Sequence, residues 1–213
     1  IHDQGWSIYL NGLIDQVVYT NRSKAADEIL TDATLALYYS FDYQSLNDQG
    51  PLRIDAISTG SVSLSAGRGG DGLHISNVTQ SYLLARNLVL LGTSEHAYSI
   101  SIWIKPSQIR RASLAYFSAG ITGCGWWCLS LLGLSDSGQL VSFSWTLSNQ
   151  AVFIMCSFTR SHVWSHVGVS YSQGNGLSLY INGTKCSQSA AFDYSGPGPM
   201  NYLFIGGIPS NIC

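Results

Sequence analysis

The chain has 213 residues, 46% of them hydrophobic and only 10% charged, with a formal net charge of −2. That length gives one generous domain, or one domain plus an appendage, with ample material for a core. The charged fraction is far below the roughly 25% usual for globular domains; no basic run offers a nucleic-acid footprint, and no run of about 18 apolar residues marks a membrane-spanning helix.

In chain order, "NGLIDQVVYT" (11–20) reads as a strand, and "SKAADEIL" (23–30) is the one helical piece, with Ser23 as N-cap and Asp27 and Glu28 inside it. Strands are then predicted at "LALYYSFD" (35–42), "VSLS" (62–65) and "GLHIS" (72–76). "SISIWIKP" (99–106) alternates cleanly: Ile100, Ile102 and Ile104 share a face, and the strand ends at Pro106, where a ladder donor is lost. After "SLAYFSAG" (113–120) comes a three-strand meander over 128–158, with turns at Asp136-Ser137-Gly138 and Ser148-Asn149-Gln150. "HVGVSYSQGNGLSLYING" (166–183) is a hairpin in which Val167, Val169 and Tyr171 alternate before the Gly174-Asn175-Gly176 turn, and Leu177 and Leu179 after it. A final strand is predicted at "YLFIGG" (202–207). Many short strands with closely spaced turns, and no interleaved amphipathic helices, define an all-β antiparallel two-sheet sandwich.

Asn21-Arg22-Ser23, Asn77-Val78-Thr79 and Asn182-Gly183-Thr184 are sequons for N-linked glycans. Together with five cysteines and little Lys or Glu, they point to an extracellular protein. The N-terminus lacks a signal-peptide pattern, so a secreted chain would be read here in mature or internal form.

The ordered series "LALYYSFD", "GRGGDGLHIS", "YSISIWIKPS", "VWSHVGVSYSQGNGLSLYINGTKC" and "YLFIGG" resembles the laminin-G-like branch of the concanavalin A-like lectin/glucanase jelly rolls, over roughly residues 35–207. In that family a last strand of the form Gly-x-Ile-Asp-x-Val follows the "LFIGG" element. Here it stands at residues 11–29, ahead of the first strand. The resemblance therefore implies a displaced terminal strand in an N-terminal segment, 1–34, and a jelly-roll domain, 35–213. Trp6, Ile8, Leu10, Ile14, Val17 and Val18 form the apolar side of the displaced strand, and burying four of them is worth roughly 6–12 kcal/mol gross. Two arrangements follow. Donation of the strand to another copy gives a head-to-tail filament or bead array; closure of the chain's own sandwich gives a permuted, monomeric carbohydrate-binding or adhesion module. The spacing of "EILTDATLALYYSFD" favours donation, with the acceptor groove beside "LALYYSFD" and "YLFIGG". In the family such neighbouring strands can hold a calcium ion through carboxylate and backbone oxygens, and the resemblance would assign the carboxylates to Asp15 and Asp42.

Register counted along the hairpins sets Cys186 opposite residues 160–162, within reach of the strand carrying Cys156, and sets Cys128 beside Trp145. The expected disulfides are Cys156–Cys186 and Cys213 with either Cys124 or Cys128; buried thiols are the alternative. Cys124 and Cys128 have no second ligand pair for zinc.

Catalysis finds no support. A retaining glycosidase needs two carboxylates about 5 Å apart, whereas Glu28 and Glu95 are the only glutamates and no Asp/Glu pair has strand spacing. "HVWSH" lacks the glutamate of a zinc helix, which leaves His162 and His166 structural, and Gly-x-Ser-x-Gly does not occur. For sugar binding, Trp126, Trp127 and Tyr82 are the aromatic candidates, although strand alternation sends one of the paired tryptophans inward.

Overall fold

The computed structural model describes residues 10–20, 35–50, 52–76, 78 and 80–209, with the side chains of residues 15–20 excepted. The strands are β1 (Gly12–Thr20), β2 (Leu35–Tyr39), β3 (Ile57–Thr59), β4 (Val62–Ala66), β5 (Asp71–Ile75), β6 (Tyr82–Arg86) and β7 (Tyr98–Pro106). They continue with β8 (Ala112–Ser118), β9 (Cys128–Leu134), β10 (Gln139–Trp145), β11 (Ala151–Ser157), β12 (Ser165–Ser172), β13 (Gly176–Ile181), β14 (Thr184–Gln188) and β15 (Tyr202–Ile205). One sheet runs β14-β13-β12-β7-β1-β5-β4, with β2 also paired to β1; the facing sheet runs β11-β10-β9-β8-β15-β6-β3. All pairings within both sheets are antiparallel. No described helix is long and apolar enough to cross a membrane.

The period-two readings hold in detail. Ile102 and Ile100 of β7 pair with Val167 and Val169 of β12, flanked by Ile104 opposite Ser165 and Tyr98 opposite Tyr171, and Ile100, Ile102, Ile104, Val167, Val169 and Tyr171 are all buried in the core between the sheets. Leu177 and Leu179 of β13 join them. Three strands escaped the sequence reading: β3 is only three residues long, β6 reads "YLLAR" without alternation, and β14 reads "TKCSQ", polar on both faces because it lies at the sheet edge.

β1 lies inside the sandwich of its own chain. It pairs with β7 along one side; on the other, its first half pairs with β5 (Ile14↔Leu73) and its second half with β2 (Val17↔Tyr39, Val18↔Tyr38). Without it the described sheet falls into two pieces, because no other strand among the described residues joins β7 to β5. The flanking strands differ from the expected acceptor groove. β2 is a neighbour, but "YLFIGG" contains β15 of the opposite sheet and, among the described residues, meets this segment where the Leu10 amide donates to the Gly206 carbonyl at 3.0 Å. Leu10 and Ile14 are fully buried. Trp6, Ile8, the helical reading at 23–30, Asn21, Asn77 and Cys213 lie outside the described residues, as do the side chains of Asp15, Val17 and Val18.

The loop after β2 is fastened by one buried carboxylate. Asp48 Oδ1 accepts the amides of Tyr38 (2.8 Å) and Gly50 (2.7 Å), and its Oδ2 accepts that of Ile54 (2.8 Å). The Tyr39 hydroxyl donates to the Ile54 carbonyl at 2.5 Å, and burial, reinforced by Asp48 and Asp55, pushes that phenol far above its usual titration range.

Cys156 and Cys186 form a disulfide, with Cα atoms 5.9 Å apart. The path to it differs from the one read in the sequence. The chain reverses at Asn182-Gly183, so β14 folds back on β13 and Cys186 lies against Leu179 and Tyr180 rather than residues 160–162. The bond joins β14 to β11, the edge strands of the two sheets, and so clamps one end of the sandwich. Cys128 is also disulfide-bonded, and its carbonyl accepts the Trp145 indole N–H at 3.1 Å, as the register implied. Cys124 retains its thiol, which burial pushes up. The Cys156–Cys186 bond closes a separation of 30 residues, for which chain entropy gives about 3–4 kcal/mol. Cys156→Ser with Cys186→Ser should lower stability by about that amount in chemical denaturation, with the native near-ultraviolet circular dichroism retained.

Candidate functional site

Alternation that buries the isoleucines of β7 turns Trp103 to the outer face of its sheet, and the same rule turns His166 of β12 outward. The two are direct partners across the ladder, with ring centroids 5.1 Å apart. The β13–β14 hairpin brings in a third. Asn182 and Gly183 both adopt positive φ (49° and 78°), the conformation of a two-residue hairpin turn that Asn-Gly favours. There the His166 amide donates to Asn182 Oδ1 at 2.9 Å, and the Asn182 amide donates to the His166 carbonyl at 2.7 Å. Trp103, His166 and Asn182 thus form one row across β7, β12 and the β13–β14 turn.

Arg68 enters from the β4–β5 turn, "GRGGDG", and its guanidinium carbon lies 3.7 Å from the centroid of Trp103, a cation–π arrangement. The turn that delivers it is tied to Asp42, whose Oδ1 accepts the Asp71 amide at 3.0 Å. Gly70 has φ 94° there, and a Cβ at that position would come within 2.0 Å of the same oxygen, so only glycine fits. Trp164 closes the far side. Together these residues line a shallow groove of about 530 Å³ with no carboxylate among its described lining side chains.

His166 is held below its ordinary value of 6.5, first by burial and then by the nearby Arg68 charge. At neutral pH its ring is therefore uncharged. A lowered folded-state pKa means that the unfolded chain binds the extra proton first, so the stability contributed is complete above pH 6.5 and declines as pH falls through the folded value. The melting temperature should drop below pH 6.5 in the native protein, and His166→Gln should flatten that part of the profile.

The aromatic residues singled out from the sequence do not come together. Trp126 is 77% exposed, while Trp127 is buried, edge-on to Phe117 and donating its indole N–H to the Ser195 carbonyl at 3.1 Å. Tyr82 packs edge-on to Phe204 on the other sheet. Trp127 does turn inward and Trp126 outward, but both lie in the loop before β9 rather than in an alternating strand, and no platform results. Asp42 spends an oxygen on the Asp71 amide, and no three His, Cys, Asp or Glu side chains converge on a cation-sized site among the described residues. The groove residues Trp103 and Trp164 were passed over, although a tryptophan at an outward position of a well-alternating strand is a visible signal.

The profile of the concanavalin A-like lectin/glucanases superfamily, in its laminin-G form, matches residues 77–211. That is more than half of the chain, and the protein belongs to this superfamily. Among curated proteins none matches the sequence. Solved structures that it resembles include the binding domain of botulinum neurotoxin serotype C1 (18% identity, TM-score 0.58, 83% of this chain and 44% of that one). Another is the binding domain of Paraclostridial Mosquitocidal Protein 1 (16%, TM-score 0.54, 93% and 49%). A third is the binding domain of botulinum neurotoxin DC in complex with rat synaptotagmin II (15%, TM-score 0.52, 91% and 47%). The chain spans under half the length of each of these, and at such identities the likeness concerns the fold alone.

Proposed function

We propose that this laminin-G-like module binds carbohydrate outside the cell through the Trp103–Trp164–His166 groove. The observation that supports the reading is the meeting of two tryptophans, an imidazole and a guanidinium in one open cleft on an outer sheet face. A pyranose ring has an apolar C–H face that stacks on indole and hydroxyls at its rim that need donors and acceptors. Trp164 supplies the first, and Arg68, the His166 ring and Asn182 supply the second. The groove binds without cleaving, since hydrolysis needs a carboxylate pair and the lining has none. The Cys156–Cys186 clamp supports an oxidising, extracellular setting.

A glycan array followed by calorimetry on the best saccharide, with the protein produced free of N-linked glycans, tests this. Trp164→Ala should weaken binding about 10- to 100-fold, the loss of one stacked aromatic of about 1.5–3 kcal/mol, while Trp126→Ala should leave it unchanged. Equal affinity for Trp164→Ala and the native protein would overturn the assignment.

Head-to-tail assembly by exchange of β1 is the second reading, favoured by the way this one strand bridges two otherwise separate parts of a sheet. A β1 from another copy would make the same three ladders. Light scattering across a hundredfold range of concentration distinguishes them: a mass that stays at one chain throughout overturns exchange.

A further inference from the structure

Asn182 is both a wall of the groove and the acceptor of a sequon, Asn182-Gly183-Thr184. Its Oδ1 is engaged by the His166 amide, which fixes the plane of the carboxamide. No hydrogen bond engages its Nδ2 among the described residues, and residues 182–185 are exposed at the hairpin tip. Nδ2 is the atom to which an N-linked glycan attaches. In the ladder row His166 and then Trp103 follow directly from Asn182, so a sugar on Nδ2 starts at the rim of an aromatic cleft.

We propose that Asn182 carries an N-linked glycan whose first sugars lie in this groove, so that glycosylation closes it to saccharides from outside. The closure rests on the carbohydrate-binding reading; the seating of the attached glycan rests only on the placement of Asn182 beside Trp103, Trp164 and His166. In the transfer, Asn182 Nδ2 attacks the anomeric carbon of a polyprenyl-diphosphate-linked oligosaccharide. The N–C bond forms as the C–O bond to the diphosphate breaks, Nδ2 loses a proton, and the lipid diphosphate leaves. The physical drive for seating is the same as for any sugar in the cleft, but an attached glycan is held at a high effective concentration by its own link and outcompetes free ligand. Its C–H faces would cover Trp164, half-buried in the isolated chain.

The test uses the native chain and Thr184→Ala, both secreted from one eukaryotic host. That substitution removes the sequon while keeping Asn182 and its bond to His166, and it leaves the sequons at Asn21 and Asn77 in place as matched background. Glycopeptide mass spectrometry reads occupancy at Asn182, and hydroxyl-radical footprinting reads exposure of each tryptophan. The expected result is a glycan on Asn182, oxidation of Trp164 several-fold slower in the native protein than in Thr184→Ala, equal oxidation of Trp126 in both, and saccharide binding that is stronger in the variant. An unmodified Asn182 in the secreted native protein, or equal oxidation of Trp164 in the two proteins, overturns the proposal. Slower Trp164 oxidation with no saccharide bound by either protein upholds the seating and overturns the carbohydrate-binding reading.

Discussion

Ile14→Asp should leave the protein without cooperative structure. Ile14 has no exposed surface, lies in β1 opposite Ile104 of β7 and Leu73 of β5, and its Cδ1 packs within 3.1 Å of where a Cβ on Gly206 would be. The substitution removes about 1.5–3 kcal/mol of apolar burial and places an unpaired carboxyl in the core, at a further cost of several kcal/mol even when it is protonated. The sum approaches the roughly 5–15 kcal/mol that holds a typical domain together. It also strikes the one strand whose loss parts β7 from β5. Circular dichroism with a thermal melt reads the outcome, and Ile14→Val, which keeps the strand and removes one methyl, should cost only about 0.5–1.5 kcal/mol. A native-like melt for Ile14→Asp would mean that the sheet does not depend on β1.

Asp48→Ala should cost about 3–6 kcal/mol. Three amides lose their acceptor together, a buried one on Gly50 and part-buried ones on Tyr38 and Ile54, and an orphaned buried donor costs about 1–3 kcal/mol. The damage spreads to β2, because the Tyr39 hydroxyl donates to the Ile54 carbonyl that this carboxylate positions. Asp48→Asn should be intermediate: one oxygen survives, while its new N–H₂ faces an amide donor. Urea unfolding should show a lower midpoint at an unchanged slope. A stability loss below about 1 kcal/mol for Asp48→Ala would show that water replaces the carboxylate.

The two results probe features that differ in how well they read in the sequence. The apolar side of β1 is plain in "LNGLIDQVV", but Asp48 lies in "SLNDQG", which looks like any polar loop. Nothing local distinguishes an aspartate that will be buried under three amides from one that caps a turn in water, because the amides come from Tyr38 of β2, 10 positions back, and from loop residues 2 and 6 positions on. The disulfide shows an intermediate case. Cys156 and Cys186 were paired from the sequence, yet through a continuation of β13 that does not exist; the Asn182-Gly183 turn sends β14 back, and the sulfurs meet because both strands end their sheets.

Within each strand, local alternation was enough to assign faces: a backbone of period two must turn Trp103 and His166 away from the side that carries Ile102, Ile104 and Val167, whatever else the chain does. An all-β sandwich, its core-facing residues along β7, β12 and β13, and the outward turn of Trp103 and His166 are thus legible in the strand pattern alone. Which outward residues share a groove was decided only by the tertiary structure. Arg68, Trp103, Trp164 and Asn182 are brought together by strand pairings between distant segments and by two turns. Such pairings are chosen by the packing of the whole core and leave no periodic trace in the residues they join.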